Sequence, residues 1–417
     1  MNIRWLLLAI VVVAISLRLG VAVKMGLNVG PRPGSDQNEY DTYAWNLAQD
    51  RGYRGPSPDV IDHDHLTAYR PPVTSVTWAG LYCIFGHRYD VVRVFHCVLD
   101  GISAVIIFAI GRRCFNERIG LISAAIWAVW PLGLLYSCEL LSEPIATFIY
   151  LLFLLACLWF AEHPTGLRAL TSGILLGMAL MARSNYIVML PLVLLWVIWQ
   201  FRRQPRALAW GLTILAVSLL CLVPWTARNY HIFGKLIPLS TTAGSALLQG
   251  NNDIVATNPA YYGFSIWDTE INEEITRQLR APNDEYERDR IAKRLAIDWL
   301  KSHRDKWVFL VQAKFRRSLT PFLQQPSKSR RLIYFVTWGP ILVLFGLAFF
   351  PTLLTFLRRD QPGWLIHLAI AHYIINSIAF YALSRYRYPI EGLCIILACV
   401  SALWLWDKLR GVHAAST

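Results

Sequence analysis

Three carboxylates crowd into six positions of the stretch Asp36-Gln37-Asn38-Glu39-Tyr40-Asp41, just after the first long apolar run of the chain. A carboxylate at the edge of an apolar region can take a proton from a hydroxyl or orient an acceptor. Tyr40, Tyr43, Ala44, Leu47 and Ala48 recur at helical spacing, so the acids are expected to open an amphipathic helix. Asp36 and Glu39 also carry the spacing of a capping box, which leaves an ordinary acidic helix cap as the alternative.

A second acid, Glu143, stands before Pro144 at the start of another apolar run, where it can serve chemistry or simply complement the helix dipole. Several arginines are candidates to face these acids. Arg70 is stiffened by Pro71 and Pro72, Arg183 ends an apolar run, and Arg385 and Arg387 lie in Ser384-Arg385-Tyr386-Arg387-Tyr388-Pro389. Snorkelling to the interface accounts for Arg183 equally well. Acids facing arginines suit the movement of a sugar from a phosphate leaving group to a hydroxyl. The carboxylate takes the hydroxyl proton, and fixed cations stabilise the departing phosphate.

The elements that must position these groups follow from composition. The 417 residues are 55% hydrophobic and only 16% charged, with 17 Trp and a mean hydropathy of +0.39, and the apolar residues come in long blocks. An all-α polytopic membrane protein is predicted. The formal charge of +13 sits mostly beside those blocks, where it sets topology, so nucleic acid is excluded as a partner. About ten spanning helices are expected, at roughly 4–24, 89–111, 118–136, 141–161, 167–182, 186–201, 207–227, 331–357, 363–383 and 389–407. The first run is too long for a removed signal peptide and lacks a convincing cleavage site, so it reads as a retained helix.

Arg112, Arg113, Arg118, Arg168, Arg202, Arg203, Arg206, Arg358, Arg359, Lys408 and Arg410 all fall on one side if the amino terminus is cytoplasmic, so both termini are predicted inside. Two long connections, 25–88 and 228–330, then lie outside. The expected organisation is a transmembrane domain over 1–227 whose first outer loop carries the chemistry, an extracytoplasmic helical subdomain over 228–330, and C-terminal transmembrane helices over 331–417. In the first loop Val73, Val76, Trp78, Ala79, Leu81 and Tyr82 predict a helix lying along the membrane interface. Charged amphipathic helices are expected in the second loop, near 268–280 and 284–303.

Nucleotide sugars are absent outside the cytoplasm, so a phosphate there must belong to a membrane lipid; the chain also has no glycine-rich phosphate loop after a strand. Asp62-His63-Asp64, with His65, formally matches the metal-binding Asp-x-Asp of nucleotide-sugar transferases, but three residues carry little information and the compartment is wrong. The eight cysteines form no Cys-x-x-Cys or Cys/His set and read as small core residues. Arg93, His96 and Asp100 share one face of the second span and are expected to form a buried charge pair that fixes helix packing. Arg18, in the first span, is expected to pair with an outer-face acid.

Taken in order, Asp36, Tyr40 and Ala44, then Gly52-Tyr53, Arg70-Pro71, Phe85-Gly86-His87, Glu143-Pro144, Arg228-Asn229-Tyr230 and the closing Arg-Tyr-Arg-Tyr-Pro resemble a known pattern. It is that of the GT-C class of membrane glycosyltransferases, in particular the protein O-mannosyltransferase and lipid A aminoarabinose transferase superfamily. The resemblance covers most of the chain. It implies a GT-C fold and inverting transfer of a sugar from a polyprenyl-phosphate donor to a hydroxyl on a lipid, glycan or protein. The expected site of action is the outer face of a bacterial inner membrane. Asp36 looks like the family's main acid, as general base or acceptor-orienting group, and Glu143 like the second acid.

Arg70 resembles the residue that meets donor phosphate, joined by Arg387, Arg385 and Arg183. Glu39, Tyr40, Tyr69 and Tyr386 flank these groups and are expected to contact substrate. No cofactor is required and a divalent cation is compatible. Some relatives have an acid immediately before the basic-Pro pair, whereas this chain has Tyr69, which argues against a metal there. A transporter or flippase of a lipid-linked sugar is the alternative. Transporters commonly show inverted repeats and broken helices at the midplane, whereas here the candidate polar groups gather at one face, which favours the enzyme.

Overall fold

A computed structural model describes residues 2–56, 65–282, 284–320 and 328–411. The Asp62-His63-Asp64 motif lies outside the described residues, and its neighbour His65 stands 3.5 Å from Glu285.

The chain opens with α1 (Ile3–Met25). Two short helices follow, α2 (Asp36–Ala48) and α3 (Val73–Phe85), with a small antiparallel ladder between them, β1 (Arg54–Gly55) on β2 (His65–Leu66). The first half continues through α4 (Tyr89–Cys114), α5 (Glu117–Ala128), α6 (Pro131–Tyr136), α7 (Glu143–Glu162), α8 (Gly166–Ala182), α9 (Met189–Gln200) and α10 (Ala207–Phe233). The second connection folds as α11 (Ala243–Gly250), α12 (Asp253–Thr257), α13 (Glu273–Arg280), α14 (Glu285–Ser302) and α15 (Trp307–Leu319). The chain closes with α16 (Lys328–Arg358), α17 (Leu365–Ala379) and α18 (Ser384–Leu409).

Among the described residues six helices are long and apolar enough to cross a membrane: α1, α4, α7, α10, the Phe335–Arg358 part of α16, and α18. The other expected spans appear as shorter helices. Pro131 divides the segment expected at 118–136, because it holds Trp130 in an extended conformation that ends α5 and begins α6. The 17 residues of α8 reach about 25 Å, short of the roughly 30 Å hydrocarbon core. At 13 residues α3 is about 20 Å long, too short to span. It buries Trp78 and Tyr82 and exposes Val76, Ile84 and Phe85.

The basic residues read as topology signals gather at one end of the bundle. Arg113 pairs with Glu162 at 3.0 Å, Arg118 with Asp407 at 3.7 Å and Arg202 with Asp360 at 2.5 Å. Glu162 and Asp407 lie in the last turns of α7 and α18, the helices that open at Glu143 and Ser384. The 20 residues of α7 separate those ends by about 30 Å.

A large apolar core runs through α4, α5, α7, α8, α17 and α18. A second, smaller one gathers Leu248, Val255, Ile266, Leu279, Ala292 and Leu310 within the second connection. Helices at 273–280 and 285–302 there match the amphipathic segments expected from sequence.

The buried charges inside the bundle pair differently from expectation. Asp100 binds Arg18, whose Nε donates to its Oδ2 at 2.5 Å with both side chains fully buried. The remaining Arg18 donors reach the carbonyls of Ala14, Trp127 and Ala128, and the Tyr388 hydroxyl donates to the second Asp100 oxygen. One ionic knot therefore ties α1, α4, α5 and α18. Arg93 lies nearer the helix start and donates instead to the carbonyls of Leu27, Val29 and Cys138. His96 receives the Trp78 indole N–H at 3.1 Å. The charge pair expected among Arg93, His96 and Asp100 is not formed: Arg18 takes Asp100, an acid within the bundle rather than at the outer face.

Gly133 lies against this knot: a Cβ there would stand 2.8 Å from Arg18 Nη2 and 3.2 Å from Asp100 Oδ2. Arg18 cannot swing away without losing its hydrogen bonds. Gly133→Ala is expected to cost about 1–3 kcal/mol, the usual penalty of overpacking. Thermal unfolding of the purified protein measures it, and an unchanged midpoint would refute the knot's rigidity.

Candidate functional site

Helix α2 is capped by Ser35, whose Oγ accepts from the Asn38 N–H at 3.4 Å. Asp36 is thus the first helical residue and its carboxylate is released from capping. Both of its oxygens are taken by arginines from distant parts of the chain. Arg70 Nη2 donates to Oδ1 at 2.9 Å and Arg385 Nη2 to Oδ2 at 2.5 Å.

The pairing continues on either side. Arg70 Nε donates to Glu39 Oε2 at 2.7 Å. Arg385 Nε lies 3.7 Å from Glu143 Oε1, which also accepts from Arg183 Nη1 at 2.6 Å. Acid and base therefore alternate as Glu39, Arg70, Asp36, Arg385, Glu143 and Arg183. These six residues carry balanced charge and come from the first connection, the start of α7, the end of α8 and the start of α18. Tyrosine rings back the arginines: Arg70 stands over Tyr69 at 4.9 Å and Tyr40 at 5.7 Å, and Arg183 and Arg385 over Tyr386 at 4.7 and 5.2 Å. Such stacking orients a guanidinium while leaving its edge free for anions.

Burial alone would push the Asp36 carboxyl up, but the charges of Arg385 and then Arg70 outweigh it and hold it well below the usual carboxylate range. For Glu39 burial wins over Arg70 and the carboxyl is raised. Arg70 stays firmly protonated although burial opposes its charge, because Glu39 and Asp36 face it. Two atoms of the row, Arg385 Nε and Glu143 Oε2, are buried without a hydrogen-bond partner among the described residues. Orphaned polar atoms in a buried charged row call for an explanation, and a catalytic role is one of those such atoms commonly have.

Asp36 and Arg385 form one side of a cleft of about 450 Å³. The other side is built by the second connection and the segment before α18, through Gln249, Tyr261, Phe264, Trp267, Glu270 and Tyr381.

Of the residues singled out from sequence, the fold brings together Asp36, Glu39, Tyr40, Tyr69, Arg70, Glu143, Arg183, Arg385 and Tyr386. Arg387 is not among them. It is 1% exposed, pairs with Glu391 at 2.8 Å, donates to the carbonyls of Ser318 and Thr320, and lies 4.1 Å from the Trp338 ring. Two residues along a helix turn the side chain to another face, which sends Arg387 into the bundle while Arg385 meets Asp36. Arg387→Met leaves Glu391 buried without its cation and is expected to destabilise by about 3–5 kcal/mol. A variant that melts like wild type but loses donor binding would return Arg387 to the site.

Sequence reading missed the cleft wall contributed by Trp267, Glu270 and Tyr381, and it missed Gln37, which donates to Glu139 at 2.5 Å. None of these carries a spacing or motif that marks it.

The same arrangement of helices occurs in solved structures. The archaeal oligosaccharyltransferase AglB of Archaeoglobus fulgidus, in complex with an inhibitory peptide and a dolichol-phosphate, superimposes on 99% of this chain with a TM-score of 0.59 and 15% identity. Its apo form gives 0.60 at 12% identity. This chain has the GT-C fold.

The chain spans about half the length of the archaeal enzyme, 52% of which is covered. Residues 69–227 match the family described as dolichyl-phosphate-mannose-protein mannosyltransferase. That match holds Arg70, Glu143 and Arg183, and leaves Asp36 and Arg385 outside it. ArnT from Cupriavidus metallidurans bound to undecaprenyl phosphate aligns over 97% of this chain and 78% of its own at a TM-score of 0.42 and 13% identity. The fold assignment rests on the archaeal structures. A sequence search of the curated proteins finds no match.

Proposed function

We propose that this GT-C protein is an inverting glycosyltransferase that moves a hexosyl or pentosyl group from a polyprenyl-phosphate donor to a hydroxyl. The acceptor belongs to a lipid, glycan or protein at the extracytoplasmic face of a bacterial inner membrane. The observation that carries the reading is Arg385, which lines the cleft beside Asp36 and stands between Asp36 and Glu143, with its Nε and Glu143 Oε2 lacking hydrogen-bond partners among the described residues.

Without substrate the arginines are held by the carboxylates. A donor phosphate competes for Arg70 and Arg385, since charge-assisted pairs to phosphate and to carboxylate have the same geometry. As Arg385 turns to phosphate, the Asp36 carboxyl loses its largest lowering influence and becomes a stronger base. The acceptor hydroxyl then attacks the anomeric carbon from the side opposite the phosphate and passes its proton to Asp36. The bond from carbon to phosphate oxygen breaks, and the lipid phosphate departs paired with Arg70 and Arg385. Glu143 keeps Arg183 in place through this exchange. The proposed step calls for no cofactor and is compatible with a divalent cation. Both termini are assigned to the cytoplasm, in keeping with the basic cluster at the far end of α7 and α18.

Support comes from the match of 69–227 to a lipid-phosphate-dependent mannosyltransferase family and from the fold shared with a dolichol-phosphate complex. The test is mass spectrometry of cell-envelope glycans and lipids with and without the intact protein. One glycan or lipid is expected to lose a single sugar residue while a polyprenyl-phosphate sugar accumulates. Unchanged envelope chemistry would refute the proposal.

A further inference from the structure

We infer that the acceptor is a neutral carbohydrate, held by the Trp267 and Glu270 wall of the cleft against Asp36; this deepens the glycosyltransferase reading and rests on it. The cleft volume of about 450 Å³ falls in the range of small-molecule sites, about 300–1,000 Å³. Trp267 is a large ring left 50% exposed at its edge, and its indole N–H makes no hydrogen bond to a described residue. An indole face with a free N–H suits a ligand that offers both C–H faces and hydroxyls, as a pyranose does.

Charge then narrows the class. The charged residues lining the cleft are Asp36, Arg385 and Glu270. Arg385 is engaged by Asp36 and, in the reaction, by donor phosphate. The acceptor end is therefore left with the Glu270 carboxylate, which accepts hydrogen bonds from sugar hydroxyls and repels phosphate or carboxylate. No lysine or arginine besides Arg385 lines this cleft; Arg277 and Arg280 lie on the far side of Glu270, in a separate depression. An extended peptide is commonly bound by main-chain pairing along a strand edge. The lining residues here lie in helices, turns and irregular segments, with no strand among them to offer an edge.

The test is binding of the full-length protein in detergent to an array that carries neutral oligosaccharides, phosphorylated oligosaccharides and serine/threonine peptides. Wild type, Trp267→Ala, Trp267→Phe and Glu270→Gln are compared, each first checked for an unchanged melting point. Neutral oligosaccharide spots are expected to bind wild type. Trp267→Ala should weaken them roughly tenfold, equivalent to about 1.4 kcal/mol, and Trp267→Phe should restore most of the signal. Glu270→Gln should weaken neutral spots without creating phosphorylated ones. Binding confined to peptides or to phosphorylated spots, equal binding by wild type and Trp267→Ala, or no carbohydrate signal above a bare surface would overturn the inference. A transfer assay on the wild type separates this result from the reaction itself: carbohydrate binding without sugar transfer would count against the glycosyltransferase reading, and transfer without carbohydrate binding would count against the acceptor wall.

Discussion

Asp36→Asn is expected to reduce sugar transfer by about 10³-fold, within the range that a positioned general base contributes, while donor binding is kept or tightened. The substitution preserves shape and removes one negative charge from between Arg70 and Arg385. Each arginine retains a second carboxylate, Glu39 for Arg70 and Glu143 for Arg385. The fold should therefore survive. With less competition from Asp36, both guanidinium groups are freer to take donor phosphate. The measurement is single-turnover transfer in detergent with saturating lipid-linked donor, beside equilibrium donor binding. Transfer at the wild-type rate would remove Asp36 from the chemistry. Weakened donor binding with an intact chemical rate would assign it to positioning alone, as a carrier of lipid-linked sugar would require.

Arg385→Gln should lower kcat by about 10²–10³-fold, the loss that follows removal of one group aimed at developing charge in a transition state. Arg385 is the only described arginine that touches both Asp36 and Glu143. Its removal leaves Asp36 with Arg70 and Glu143 with Arg183, so the two halves of the row come apart without stranding a charge. Arg385→Lys keeps the charge but not the planar fork that reaches two partners, and should recover only part of the rate. Because Arg385 and Asp36 act as a unit, the double variant should lose far less than the product of the single losses. Full additivity, or a lysine variant equal to wild type, would show that Arg385 acts merely as a distant charge.

Much of this architecture is legible in the sequence because a bilayer imposes long apolar runs and basic loop ends, and both are one-dimensional signals. The helical class, the amphipathic helices of the second connection and the start of α2 and α7 follow from periodicity and turn chemistry. Span lengths do not: Pro131 interrupts one expected span through its local effect on Trp130, and the short α8 and α17 are settled by packing against neighbours. Asp36, Glu39, Arg70 and Glu143 stand out because clustered acids and a basic residue before proline are unusual beside apolar runs. The pairs among them are a different matter. Nothing in the chain distinguishes Arg385 from Arg387, yet one meets Asp36 and the other Glu391, because a step of two residues on a helix turns the side chain to another face. The capping role open to Asp36 was likewise decided by Ser35, which took it.

Sequence by itself determined that this chain is a helical membrane protein whose acids and arginines gather at one end of the bundle, because hydrophobic period and charge placement are written locally. Tertiary structure alone decided which arginine each acid meets, that Arg18 rather than Arg93 takes Asp100, and that the second connection brings Trp267 and Glu270 over the acids. Those partners lie tens to hundreds of residues apart. Their choice depends on helix rotation and packing, which no local pattern encodes.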